Sequence, residues 1–150
     1  MADKIVLRGR KVVGGRAEGE ALVARATLSF WGEVDAVKGV IIAAGHPLKG
    51  QSVQNKVLVM ESTKGSSGGP MMMTLAKKEG NAPAAMVNLN VDCLAALGCV
   101  VNDIPMMTDL GHDPFELIET GDYVVVDADR GIMEITKQSK PSLCSKKDTA

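Results

Sequence analysis

Aromatic side chains are scarce in this 150-residue chain, which holds two Phe, one Trp and one Tyr. A platform on which single-stranded bases could stack is therefore excluded. An excess of basic charge is missing too: 17 Lys and Arg face 18 Asp and Glu, for a net charge of −1. The cations form no stripe, so nucleic acid is not an expected partner. No apolar run approaches the roughly 18 residues that a membrane span needs. Lys4, Arg8, Arg10, Lys11 and Arg16 interrupt the N-terminal region, which is unlike a signal peptide. Cysteine is sparse: Cys93, Cys99 and Cys144 make an odd number, none lies in a CxxC or at ligand spacing from a His, and neither a disulfide framework nor a zinc site is indicated. A reducing, cytoplasmic setting is the expectation.

The length suits one domain with a core of its own, but it is small for an enzyme that must enclose both substrate and cofactor. Short β-branched runs predict strands at Lys4 to Leu7, Lys11 to Val13, Glu20 to Ala24, Val40 to Ile42, Lys56 to Val59, Ala84 to Val87, Tyr123 to Asp127 and Ile132 to Ile135. Three helices are predicted, over Pro70 to Lys78, Val91 to Leu97 and Pro114 to Thr120, the last opened by Asp113 as N-cap with Pro114 at N1. Gly80, Gly98 and Gly121 are read as the glycines that end these helices. The middle of the chain then reads strand, loop, helix, strand, helix, a βαβ unit in an α/β fold with a parallel pair. Residues 1–136 are expected to form one domain. The residues from Lys137 to Ala150, polar and without apolar periodicity, are expected to form a disordered tail.

The most informative segment is Glu61 to Pro70, which carries Lys64-Gly65-Ser66-Ser67-Gly68-Gly69 between a predicted strand and a predicted helix. The glycines permit a close backbone approach to a ligand, and the two serines offer hydroxyls and amides beside a helix's positive end, where an anion is favoured. A flexible surface loop is the plainer reading of the same residues. Lys64 precedes the glycines, so the order does not fit a phosphate-binding Walker loop, and the spacing does not fit a nucleophile elbow.

Other candidates each have a structural alternative. Ser29-Phe-Trp-Gly-Glu-Val-Asp35 gathers scarce aromatics with an acid, and is either a binding segment or a local apolar plug with Asp35 in a turn. His46, in Gly45-His-Pro-Leu48, is either a proton-transfer group or a hydrogen-bonding turn residue, and His112 is a weaker candidate of the same kind. Arg16 and Glu18, between Gly15 and Gly19, are either an anion-binding pair or solvated charges on a hairpin turn.

Taken in order, Gly9-Arg10, Gly15-Arg-Ala-Glu-Gly-Glu-Ala-Leu22, Leu28-Ser-Phe-Trp-Gly32 with Asp35, His46-Pro-Leu48 with Gly50, Lys64-Gly-Ser-Ser67, Ala82-Pro-Ala-Ala85, Ile104-Pro105 and Thr120-Gly-Asp122 resemble the small subunit of the aconitase X family. The series is collinear and spans roughly residues 8 to 135. The resemblance implies a swivelling β/β/α domain that closes over the active site of a large subunit as part of a heterodimer. It implies a hydro-lyase that removes water from a hydroxy acid, with an iron-sulfur cluster carried by the large subunit and no metal bound by this chain. Ser66 falls on the family's proton acceptor, and Lys64, Gly65, Ser67 and Gly68 would contact substrate.

Ala36, Ala43, Ala44 and the glycine-rich Gly68-Gly69-Pro70 depart from the family pattern and bear on substrate identity. The resemblance admits cis-3-hydroxy-L-proline or 5-phosphomevalonate. Phe30-Trp31-Gly32 tilts the reading to the amino acid, while Lys64 with Arg16 could serve a phosphate. The rival class is a non-catalytic binding or regulatory module whose Gly/Ser loop captures a small anion and whose apolar face docks a partner. A self-contained serine hydrolase is a third reading.

Overall fold

The structure, a computed structural model, describes residues 4–64 and 68–138. The chain runs through β1 (Lys4–Arg8), β2 (Arg10–Val13), β3 (Arg16–Val23), β4 (Thr27–Leu28), β5 (Val34–Asp35), β6 (Val40–Ile41), β7 (Val57–Met60) and β8 (Ser62–Thr63). It continues with α1 (Gly68–Lys78), β9 (Ala85–Asn88), α2 (Cys93–Val101), β10 (Met106–Thr108), α3 (Pro114–Leu117), β11 (Tyr123–Asp127) and β12 (Ile132–Thr136). Eight strands form one mixed sheet in the order β1, β12, β11, β3, β7, β9, β10, β2.

β3 is the strand on which this sheet turns. Its first half pairs antiparallel with β11, Arg16 opposite Asp127 through Glu20 opposite Tyr123, and its second half pairs parallel with β7, Ala21 opposite Val57 through Val23 opposite Val59. Gly19 lies at the change-over, where a Cβ would collide with the carbonyl oxygen of Asn55. The absent side chain is what lets the neighbouring backbone come this close.

β3, β7, β9 and β10 are mutually parallel, and β2 closes their far edge antiparallel to β10. Strand alternation divides their side chains between two cores. Leu58, Met60, Met86 and Met106 face α1 and α2, where Met73, Ala76, Ala95 and Cys99 meet them, together with Leu28, Phe30, Ile41 and Val53 from the long β3 to β7 connection. Val57, Val59, Ala85, Val87 and Met107 face the antiparallel half, where Leu7, Val124, Val126, Met133 and Ile135 pack on them. The result is three layers, β/β/α, with the central parallel strands buried on both faces.

The eight expected strands are all present, and the central β7, α1, β9 unit is parallel as expected. Several boundaries differ for physical reasons. Arg16 to Gly19 is strand rather than turn, because the antiparallel partner β11 claims it, and the turn falls instead at Gly15, with φ of 122°. β10 was not predicted: Met106-Met-Thr108 carries little β-branching, and its strand form comes from burial between β9 and β2. α3 is shorter than expected because Ile118 turns extended and buries its side chain in the antiparallel core. Lys137 and Gln138 do not begin a tail, since both hydrogen-bond the Asp122 carboxylate; residues 139–150 lie outside the described residues.

Gly98 does not end a helix. It sits inside α2, which runs on to Val101, and a Cβ there would collide with the Met73 sulfur and lie 3.5 Å from the Pro70 Cα. Glycine is present because α1 crosses α2 at close range. Gly98→Val is expected to force these helices apart and to lower unfolding free energy by about 1–3 kcal/mol, the usual cost of overpacking. Urea denaturation checks this, and a variant as stable as wild type would show that the crossing relaxes freely.

Candidate active site at the carboxyl edge

Because four strands run parallel, their carboxyl ends, at Val23, Met60, Asn88 and Thr108, share one edge. Ligands of open α/β sheets are bound at this edge. The Gly/Ser segment leaves it between β8 and α1. Gly65, Ser66 and Ser67 lie outside the described residues, and the structure fixes the residues on either side of them.

On the upstream side, β8 pairs parallel with β4, and the Lys64 N–H donates to Leu28 O at 3.2 Å. The Lys64 ammonium lies 3.3 Å from Glu33 Oε2, while Glu33 Oε1 accepts the Ser29 N–H at 2.8 Å. Lys64 is about half exposed and already has a carboxylate partner. On the downstream side, Gly68 opens α1, two residues earlier than the predicted start at Pro70.

Between these two sides lies a cavity of about 210 Å³, walled by Phe30, Thr63, Lys64, Gly69, Pro70, Met73 and the first turn of α2. Asp92 organises that wall. As N-cap of α2 it accepts the Ala95 N–H on Oδ1 at 2.8 Å, and on Oδ2 it accepts the Thr63 hydroxyl at 2.5 Å. One carboxylate thereby ties the end of β8 to the start of α2. The first turns of both α1 and α2 flank the cavity, and the positive ends of the two helix dipoles favour an anion there.

The other candidates fall elsewhere. Arg16 starts β3, whose carboxyl end is about 20 Å away along the strand, so it cannot join Lys64 on one phosphate. It pairs instead with Glu18 at 3.1 Å. Glu18 also accepts the Tyr123 hydroxyl at 2.9 Å, a hydrogen bond that pushes the phenol up from its ordinary value. Asp35 ends β5 and its carboxylate caps the turn that follows, accepting the N–H groups of Val37 and Lys38 at 3.1 Å each. Phe30 is buried and Trp31 is 55% exposed, so the aromatic pair is split between core and surface.

His46 uses both ring nitrogens locally. Nδ1 accepts the Leu48 N–H at 3.0 Å, which leaves the proton on Nε2 for Thr27 O at 3.0 Å. Neither nitrogen is left for proton transfer to a substrate. His112 lines a second depression at the carboxyl edge with Asp109 and Asp113. Cys93 is exposed in the first turn of α2, whereas Cys99 is buried and its thiol is pushed up to about 12 by desolvation. Among the described residues no three His, Cys, Asp or Glu are grouped to hold a metal ion, so an iron-sulfur cluster finds no ligand set in them.

Sequence reasoning missed Glu33, Thr63, Asn88, Asp92 and Arg25. Arg25 follows β3, reaches Asp113 at 2.6 Å and lies 4.7 Å from the centre of the Phe115 ring. The hydrogen bond with Asp113 holds the guanidinium above its ordinary value and the carboxyl below its own. Asp92 carries a readable signal, an Asp directly before an apolar helical run, yet the predicted helix begins at Val91, whereas α2 begins at Cys93 with Asp92 as its cap.

The three-layer β/β/α architecture, with two helix N-termini at the carboxyl edge of its parallel strands, is that of a swivel domain. The sequence model of the aconitase X swivel domain matches residues 6–135, and the chain belongs to that family as the small subunit of a dehydratase. The phosphomevalonate dehydratase small subunit of Methanosarcina mazei is 39% identical over 136 residues, covering 91% of this chain and 94% of the relative. The protein of the same name from Thermococcus kodakarensis is 41% identical over 134 residues, covering 89% and 98%. The crystal structure of Thermococcus kodakaraensis aconitase X in its holo-form superposes with a TM-score of 0.82 at 41% identity, over 89% of this chain and 99% of that one. No helix among the described residues is long and apolar enough to cross a membrane.

Proposed function

We propose that this chain is the small subunit of a 5-phosphomevalonate dehydratase, active in the cytoplasm with a large subunit that carries an iron-sulfur cluster. The observation that carries this reading is the name shared by relatives that match nearly the whole chain at about 40% identity. It replaces the tilt toward cis-3-hydroxy-L-proline, which rested on Phe30-Trp31-Gly32 alone.

Dehydration of a hydroxy acid breaks a C–H bond beside the carboxylate and a C–OH bond on the next carbon, leaving a double bond and water. Ser66 is the proton acceptor in this reading. A serine hydroxyl is a feeble base by itself, and the anion it becomes is stabilised by amides at a helix start and by exclusion of water. Gly68 places the α1 amides directly after the loop. Lys64, Gly65, Ser67 and Gly68 contact substrate. Lys64, half exposed at the cavity, supplies positive charge there only in competition with Glu33.

The test is to purify the chain with its large subunit and assay dehydration of both hydroxy acids. The complex is expected to turn over 5-phosphomevalonate with kcat/KM at least about 100-fold above that for cis-3-hydroxy-L-proline, as loss of a charged phosphate contact set implies. The chain alone is expected to be inactive. The reverse preference would restore the amino acid, and activity of the chain alone would overturn the division of labour.

A further inference from the structure

The four residues of β9, Ala85-Met-Val-Asn88, are all buried, and the last is a carboxamide. Asn88 is 1% exposed. Its carbonyl accepts the Thr108 hydroxyl at 2.8 Å, and the N–H of the following Leu89 donates to Met60 O at 3.0 Å. Its side chain has no such partner, for neither Nδ2 nor Oδ1 is hydrogen-bonded among the described residues. Buried polar groups are almost always paired, so an orphaned carboxamide on the central strand calls for a partner from outside the fold. A Leu or Met would continue the apolar strand at no such cost.

Position narrows the partner. Asn88 ends β9 at the carboxyl edge, in register with Met60, whose side chain packs on the helix side. It thus extends toward the layer in which α1 and α2 present their first turns. The residue also borders the depression of about 440 Å³ bounded by Leu89, Asp109, Gly111, His112 and Asp113, although its amide atoms are covered from it.

Chemistry narrows it further. A carboxamide presents a donor and an acceptor side by side. A phosphate dianion offers acceptors only and would leave Oδ1 unmet. A hydroxy acid offers both, a carboxylate to accept from Nδ2 and a hydroxyl to donate to Oδ1. We propose that Asn88 is a substrate-binding group that grips the hydroxy-acid end of the substrate, a role that rests on the dehydratase reading above. Since the amide is covered in the chain alone, contact requires a local opening at this edge.

The near-isosteric Asn88→Leu tests this. In the full chain it is expected to melt at or above the wild-type temperature, because an unmet polar group is replaced by an apolar one of similar shape. In the complex it is expected to assemble normally and to raise KM for 5-phosphomevalonate about tenfold or more, the effect of one hydrogen bond to a charged group. Unchanged KM and kcat overturn the proposal. So does a melting temperature several degrees lower, which would show that the fold itself satisfies the amide. Binding is read apart from turnover by the rise in melting temperature that 5-phosphomevalonate gives the wild-type complex. A rise without turnover, abolished by Asn88→Leu, sinks the dehydratase reading and upholds the subsite. Neither rise nor turnover in wild type sinks both.

Discussion

Ser66→Ala in the assembled enzyme is expected to lower kcat about a thousandfold, within the range that a positioned general base contributes. Assembly should be unchanged, because the substitution removes one oxygen from a segment between two anchored sides. Upstream, Lys64 is held by Leu28 O and Glu33, and downstream α1 packs on α2 through Met73 and Gly98. KM should move little, since the lost group acts on the leaving proton rather than on a charged end of the substrate. Steady-state kinetics on a complex shown intact by gel filtration provide the measurement. A binding module would behave differently, losing affinity with little change in kcat. A serine hydrolase would become labelled at Ser66 by a fluorophosphonate, which is not expected. A kcat within tenfold of wild type would remove Ser66 from the chemistry.

The parts of this fold legible in the sequence are those whose local signal agrees with their environment. β7, β9, β11 and β12 are β-branched or apolar runs buried in the sheet, and Asp113-Pro114 opens α3 as its cap chemistry requires. The parts missed are set by distant neighbours. Gly98 looks like a helix stop until α1 is laid across it, and Met106 to Thr108 looks like loop until β2 returns to pair with it. The site divides in the same way. The Gly/Ser segment stands out as a run, and so does its collinear family pattern. Asn88 does not, because an Asn at a strand end reads as turn residue; only its burial and lack of a partner mark it. The pairing of Arg16 with Lys64 failed for a related reason: glycine-flanked charges suggested exposure, and nothing in the spacing says which end of a strand they occupy.

The second large effect is expected at Asp122, where the last strand is fastened. Its carboxylate is 1% exposed and accepts Lys137 Nζ at 2.6 Å, the Gln138 N–H at 2.8 Å and the Glu119 N–H at 2.8 Å. Its own carbonyl takes the Ala21 N–H at 2.7 Å, so the turn also docks on β3. Gly121 is packed so closely that a Cβ would collide with Gln138 Oε1. Asp122→Ala takes the acceptor from two amides and the nearest carboxylate from Lys137, which keeps Leu117 O at 2.9 Å and Glu119 at 3.6 Å. It is expected to cost about 3 kcal/mol, which for a chain of this size is a fall of roughly 10 °C in melting temperature. Lys137→Met should cost less, because Lys137 is one-quarter exposed and the two amides continue to serve the carboxylate. Burial opposes the charged form of Asp122, but the hydrogen bonds from Lys137, Gln138 and Glu119 outweigh it and hold the carboxyl below its ordinary value. The folded group therefore binds its proton later than the unfolded one as pH falls. Its contribution is fully present above the unfolded pKa of about 3.9 and is lost as pH drops through the lower folded value. Denaturation curves from about pH 7 to about pH 3 should show wild type losing stability in acid faster than Asp122→Ala, with the gap between them narrowing. A gap that stays constant across that range would mean that the carboxylate's charge does not hold the clasp.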